Sequence, residues 1–338
     1  MRLLFIFAAL VAIAMPSAAG RLDGTHSSAI LERLQHANRW RDHVMIVAHR
    51  GGVRENGRVV RAENSLVAIE EAARLGAEMV ELDIQKTRDG VYVVLHDSWL
   101  DRTTTCKGRL VERTLADLAP CRLVVEGDRA VTGEGVPTLQ AALAAAKGRV
   151  LVNIDNKLEP SDLPGIVAVA RGLGMEEQVV VKQNLWNMKR VAEAEQLVAG
   201  LGGAHFMPII ADDAVKDVRF VEAATRAVHA DAVEMIAWRD SSAGMSGDGG
   251  FLFGARSRAV AARGDWHLWV NTYAIVNKPG GYLADGRGDE LATLAAKPEA
   301  AFGFWAERGA TIIQTDEPKA AIEWLEANGY RIPYDLTN

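Results

Sequence analysis

Short apolar runs rich in β-branched residues alternate along this chain with longer stretches of helical periodicity. The runs are VMIVAHR (44–50), MVELDIQ (79–85), VLVNIDNK (150–157), VVVKQN (179–184), HFMPII (205–210), AVEMIA (232–237), HLWVNTY (267–273) and TIIQTD (311–316). Helical patterns over 64–75, 138–147, 162–173, 187–198, 217–229, 251–263, 299–308 and 318–328 follow them in turn. Short apolar runs alternating with helices are the pattern of a parallel sheet. Eight such units predict an α/β fold of the (β/α)8 TIM-barrel type, with a doubly wound open sheet as the structural rival. VYVVLHD (91–97) directly follows TRDG and is predicted to return as a hairpin from the second strand, with Asp89-Gly90 in its turn. Segment 98–137 then becomes a small insertion in the second βα loop.

Strand alternation puts Glu81 and Asp83 on one face of MVELDIQ, and Val80, Leu82 and Ile84 on the other. Unpaired carboxylates in a buried setting cost several kcal/mol each, so two on one face demand a cation. Hard oxygen ligands without cysteine suit Ca²⁺ or Mg²⁺, and the nearby histidines keep Mn²⁺, Co²⁺ and Zn²⁺ open. In a barrel, chemistry gathers at the C-terminal ends of strands. By that test His49, Asp155 with Lys157, and Asp316 stand at the working face. His205 and His267 instead open their strands, and His229 lies just before the sixth. Those three, with His26, His36 and His43 upstream of the barrel, read as structural.

The N-terminus changes the setting. Arg2, an apolar run from Leu3 to Met15 and the small residues Ser17-Ala18-Ala19 read as a secretory signal peptide, too short to span a bilayer. The chain then divides into a leader over 1–19, an N-terminal helical segment over 20–43 and the barrel over 44–330. Removing 19 of 338 residues leaves 319, and losing Arg2 takes the formal charge from −6 to −7. That charge argues against nucleic acid and against broad attraction to anionic membrane, and no later run is long enough for a stable membrane anchor. The expected location is periplasmic or extracellular. Cys106 and Cys121 are expected to close a small loop there as a disulfide, two free thiols being the alternative. Nothing in the composition sets an oligomeric state.

AHRGG (48–52), AENS (62–65), VELDIQKTRDG (80–90), VVLHD (93–97), LDRTT (100–104), VPTLQAAL (136–143), VNIDNK (152–157), WVN (269–271) and TDEP (315–318) come in an order that resembles the successive motifs of the glycerophosphodiester phosphodiesterase family. The resemblance implies a barrel enzyme that uses two histidines and one divalent metal. Its substrates would be small phosphodiesters of the glycerophosphocholine or glycerophosphoethanolamine kind, cleaved to sn-glycerol 3-phosphate and an alcohol. Carried over residue by residue, His49 and His96 are the acid and base, Glu81, Asp83 and Asp155 hold the metal, and Arg50 and Lys157 contact the phosphate. Glu63 and Asn64 would orient Arg50 or the metal ligands, helix capping by Asn64 or Ser65 being the bland alternative. Trp269, with Trp238 and Tyr273, is placed in the alcohol pocket, against core packing. The nucleophile is either a neighbouring hydroxyl of the substrate or water.

The family pattern has Pro and Thr where Ala62 and Ser65 stand, and commonly Glu where Asp155 shortens the reach by one methylene. The stretch VRENGRVVR (53–61) is longer and more basic, offering Arg54, Arg58 or Arg61 to an anionic substrate or simply to solvent. Lys182 is either a further cation of the site or the partner of an acid such as Glu234. Two other functions stay open: phospholipase D-like action on lysolipids or sphingolipids, and a non-catalytic phosphoester-binding barrel. The glycine-rich stretches 240–250 and 277–288 are candidate lids.

Overall fold

The computed structural model describes residues 26–274 and 281–334. The leader over 1–19 and the first part of the candidate lid 277–288 lie outside the described residues. Eight strands run in parallel: β1 Met45–Ala48, β2 Met79–Lys86, β3 Leu151–Asn156, β4 Val179–Asn184, β5 His205–Ala211, β6 Ala232–Ile236, β7 His267–Asn271 and β8 Ile312–Thr315. Each pairs with the next, and β1 pairs with both β8 and β2, through Met45↔Ile312 and Val47↔Met79. Those closing pairs make a barrel and exclude the open sheet.

The period of two along each strand sorts the side chains into an outer and an inner set. Val80, Leu82 and Ile84 of β2 turn outward into the apolar layer beneath the helices. The inward set is itself divided by height. Its floor is apolar, with Met45, Met79, Leu151, Met207, Trp269 and Ile312 sealed from below by Ile30 and Leu34 of helix His26–Gln35. Above the floor the interior turns polar, and several of its buried groups are paired. Lys182 Nζ lies 3.0 Å from Glu234 Oε2, and Asn271 Nδ2 donates to Glu234 Oε1 at 2.7 Å. Asn153 Nδ2 donates to Gln314 Oε1 at 3.4 Å.

Side-chain caps start the helices where the sequence places Ser, Thr or Asn before a periodic stretch. Ser65 caps Leu66–Leu75, Thr138 caps Leu139–Ala146 and Asn187 caps Met188–Val198. The pattern over 251–263 is broken, because Gly254 takes an extended conformation between Gly250–Phe253 and Ala255–Gly264. The pattern over 299–308 opens with a wide π-type turn at Glu299–Gly303 before Phe304–Glu307.

After β2 the chain turns through Arg88-Asp89-Gly90, with Gly90 at φ +83°, and returns as Tyr92–Val94 antiparallel to β2. A glycine at positive φ is what this short hairpin needs. Residues 98–137 carry short bridges, the helix Leu115–Leu118 and a small core of Val93, Leu95, Leu100, Leu110 and Leu118. The Cys106–Cys121 disulfide ties this segment together. No helix among the described residues is long and apolar enough to cross a membrane.

Candidate active site

Neighbouring β2 and β3 bring three carboxylates to the top of the barrel. In their register Asp83 lies opposite Asp155 and Glu81 opposite Asn153. Glu81, Asp83 and Asp155 each present an oxygen within 4.8 Å of the others. Lys157, two residues beyond Asp155 on β3, reaches back to Asp155 Oδ2 at 2.7 Å and Asp83 Oδ1 at 3.0 Å. Burial, with the neighbouring charge of Asp83 second, pushes Glu81 up to about 7. Burial works the same way on Asp83, but Lys157 and Arg50 outweigh it and hold its carboxyl well below the usual range. Asp83 Oδ1 accepts no hydrogen bond, though the Lys157 ammonium faces it. A compact all-oxygen set of three carboxylates fits a hard divalent cation.

AHRGG builds the turn that caps β1. Arg50 sits at φ +52° between His49 and two glycines, and a Cβ on Gly51 would come within 2.6 Å of Ala68 Cβ. That strained turn aims the Arg50 backbone N–H at Glu81 Oε2, 3.0 Å away, and its guanidinium at Asp83 and Glu63. Asn64 donates from Nδ2 to Asp83 Oδ2 at 2.8 Å and accepts the Asp83 backbone N–H at 3.1 Å, while Ser65 alone caps the following helix. Orientation of a ligand and capping are thus separate tasks of adjacent residues.

Two imidazoles flank the acids, each held by a carboxylate of its own. His49 Nδ1 is 2.8 Å from Asp316 Oδ1, and its ring stacks on Tyr273 at 3.8 Å between centroids. Burial opposes a charge on His49, but Asp316 and then Glu81 outweigh it and raise its pKa. His96 Nδ1 is 2.6 Å from Asp97 Oδ1. The two rings differ in access, at 5 % exposed for His49 and 27 % for His96. The return strand ends at Val94, so the rule that adjacent strand residues face opposite ways does not separate His96 from Asp97. The Leu95 N–H donates to Asp83 O at 2.9 Å, which brings His96 to the rim beside the acids.

Trp269 is corrected. It lies wholly buried in the apolar floor, its indole N–H donating to Asn271 Oδ1 at 2.7 Å, and cannot touch a substrate at the mouth. Lys182 is bonded to Glu234, and its ammonium also stabilises the carboxylates of Asp155 and Glu81, so it is a further cation of the site as well. In the basic stretch 53–61, Arg54 faces Asp316 at 3.8 Å and Arg61 pairs with Glu55 and Glu71.

Sequence reasoning placed Asp316 on the working face without giving it a task, and it gave none to Arg102. Arg102 donates to both oxygens of Asp97 at 2.7 and 2.9 Å and to Glu63 at 2.7 Å, linking the carboxylate behind His96 to the one behind Arg50. No periodic signal marks a residue inside an irregular insertion, so only the LDRTT motif pointed there.

The profile of the glycerophosphoryl diester phosphodiesterase family matches residues 49–233, more than half of the chain. A protein of Caldanaerobacter subterraneus subsp. tengcongensis named glycerophosphodiester phosphodiesterase is 31 % identical over 164 residues, covering 46 % of this chain and 65 % of the relative. The Bos taurus protein named glycerophosphodiester phosphodiesterase 1 is 40 % identical over 106 residues, covering 31 % of this chain and 30 % of the relative. The matched stretches thus span less than two thirds of these relatives' own length. Among solved structures, a glycerophosphoryl diester phosphodiesterase from Parabacteroides distasonis superposes with TM-score 0.66 at 20 % identity, covering 91 % of this chain and 93 % of that one. A phosphodiesterase from Oleispira antarctica, described in complex with the product sn-glycerol-3-phosphate, superposes with TM-score 0.52 at 17 % identity over 83 % of this chain and 96 % of that one. With the closed barrel, the acid cluster and a family match that begins at His49 and takes in all three acids and His96, the chain belongs to the glycerophosphoryl diester phosphodiesterase family.

Proposed function

We propose that the chain hydrolyses glycerophosphodiesters of the glycerophosphocholine or glycerophosphoethanolamine kind to sn-glycerol 3-phosphate and an alcohol. The observation that carries this reading is the pairing of two imidazoles, each bonded through Nδ1 to its own carboxylate, beside a compact trio of acids. A carboxylate only accepts, so each Nδ1 bears the proton and each Nε2 is left for the reacting atoms. One imidazole, neutral, accepts at Nε2 the proton of the hydroxyl that bonds to phosphorus, while the other, entering as the imidazolium, gives its Nε2 proton to the departing alcohol oxygen as that P–O bond breaks. Glu81, Asp83 and Asp155 would hold a divalent ion, Ca²⁺ or Mg²⁺ first among the choices, and when bound it supplies charge to offset the phosphodiester's anionic oxygens. Arg50 and Lys157 add fixed positive charge at the same mouth. The product carried by the Oleispira antarctica relative supports the same cleavage here.

Export from the cytoplasm belongs to this reading. Its supports are the apolar leader and the disulfide, which persists in an oxidising compartment. The deciding experiment is glycerol 3-phosphate release from glycerophosphocholine by chelator-stripped protein, before and after adding Ca²⁺, Mg²⁺, Mn²⁺ or Zn²⁺. Release restored by an ion is the expected result, and no release with any of them overturns the proposal.

A further inference from the structure

The Nδ1–Asp316 bond holds one edge of the His49 ring and leaves its plane to be set by other contacts. Nε2, the nitrogen left for the reacting atoms, lies 3.9 Å from Glu81 Oε2, too far for a hydrogen bond to fix its direction. The plane is set at the ring's face. Tyr273 covers one face of the imidazole, with 3.8 Å between centroids and only 10° between the planes. A stack that close keeps the imidazole from pivoting about its Cβ–Cγ bond without driving an edge into the phenol.

Tyr273 is in turn held from below. Trp269 and Asn271 share the inward face of β7, and Tyr273 continues that series two residues on. An indole N–H only donates, so the atom it meets at 2.7 Å is the Asn271 carbonyl oxygen, and the amide nitrogen must face the other way. That nitrogen donates to Glu234 Oε1 at 2.7 Å and to Tyr273 Oη at 3.2 Å. Asn271 is fully buried, so none of these bonds is shared with bulk water. The apolar floor thus orients an amide, the amide a phenol, and the phenol an imidazole.

We propose that Tyr273 is a positioning residue of the reaction: its ring, tethered through Asn271 to the barrel floor, sets the plane of His49 and so the direction in which Nε2 meets the reacting atoms. The inference rests on the proposed hydrolysis, in which His49 moves a proton at Nε2. It differs from a place in the wall of the alcohol pocket, because a wall residue acts on substrate affinity and a positioning residue on turnover. The test is steady-state glycerol 3-phosphate release from glycerophosphocholine, with the divalent ion that supports wild-type release. Tyr273→Leu should lower kcat by about tenfold or more with KM within about twofold. Tyr273→Phe keeps the ring and gives up only the 3.2 Å bond, so its kcat should stay within about threefold of wild type. Tyr273→Met takes the place of the leucine variant if that one does not fold. Wild-type kcat without the ring overturns the proposal. So does a loss confined to KM, which would return Tyr273 to the alcohol pocket, or a phenylalanine variant as slow as the leucine one, which would assign the effect to the hydroxyl. Proton NMR of the histidine ring gives a second readout, since a stacked phenol shields protons over its face. The His49 signals, identified by their loss in His49→Ala, should lie upfield in wild type and Tyr273→Phe and move back in Tyr273→Leu. Signals that do not move overturn the stack even if kcat falls. A wild-type protein that releases no glycerol 3-phosphate with any ion fails the proposed function instead, and the NMR comparison still decides whether Tyr273 sets the ring.

Discussion

Asp316 determines which nitrogen of His49 carries a proton, because its carboxylate can only accept from Nδ1 at 2.8 Å. Asp316 is itself fixed by Asp289, whose Oδ2 accepts the Asp316 backbone N–H at 2.8 Å. Asparagine at 316 keeps the shape but offers an N–H to His49, which moves the imidazole proton to Nε2. Asp316→Asn should therefore lower kcat on glycerophosphocholine by roughly 10²–10⁴ with little change in KM, the range also expected for His49→Ala or His96→Ala. Steady-state kinetics on the three variants check this, and wild-type kcat in Asp316→Asn would detach that carboxylate from the chemistry. Glu78 shows the same logic turned to stability at the far end of the barrel. Its oxygens accept from the Ile46 N–H at 2.7 Å and Arg331 at 3.0 Å, with His43 and the Tyr334 hydroxyl each at 3.2 Å. Burial alone would raise its pKa, but Arg331 and then His43 hold the carboxyl far below its ordinary range. A folded-state pKa below the unfolded one means that the stabilisation is complete above the ordinary glutamate value and is lost as pH falls through the acid range. Glu78→Gln should cost about 3–5 kcal/mol at pH 7, since it strands the buried Arg331. It should also flatten the loss of stability below about pH 4.5. Urea unfolding at several pH values reads both effects.

The insertion over 98–137 has little regular structure to hold it, so the Cys106–Cys121 link, 15 residues apart, matters more here than it would inside the barrel. Removing both cysteines as Cys106→Ser/Cys121→Ser should destabilise by about 3 kcal/mol, the loop-closure value for this length. It should also lower kcat at temperatures where the barrel is still folded, because Arg102 then loosens its hold on Asp97 and Glu63. Unfolding curves with and without reductant, read beside kcat, separate the two effects. The contrast between barrel and insertion also explains what could be read from the chain. All eight strands announce themselves because each is a short apolar run between helical patterns, and His49, Glu81, Asp83 and Asp155 follow from strand ends and alternation. Alternation states that Trp269 faces the interior, but the height at which it sits depends on the stagger between β7 and its neighbours, which no local pattern carries. Asp97 was obscured because the end of a strand, where alternation stops applying, is not visible to within one residue.

Across the whole molecule, the barrel interior concentrates charge above an apolar floor, and within the acid trio Glu81 is the poorly compensated member. Three cations, Arg50, Lys157 and Lys182, act on the three carboxylates, yet burial and Asp83 still push Glu81 up to about 7. A divalent ion would remove that imbalance, so affinity for the ion is also stability of the fold. At a concentration a hundredfold above Kd the gain is about 2.7 kcal/mol, which raises Tm by several degrees. Glu81→Gln reverses the sign of the comparison. In chelator it removes the repulsion with Asp83 while its amide oxygen can still accept the Arg50 N–H, so the variant should melt at or above the wild-type temperature. With Ca²⁺ or Mg²⁺ added, wild type should gain stability and the variant should not, so the order of the two melting curves inverts. Asp155→Asn should reduce the ion-dependent gain in the same way. Calorimetric scans of the three proteins in chelator and in each ion test this without reference to turnover. Wild-type curves that do not move with any divalent ion would show that Lys157, Arg50 and Lys182 already satisfy the trio, and that the three carboxylates serve these cations rather than a metal.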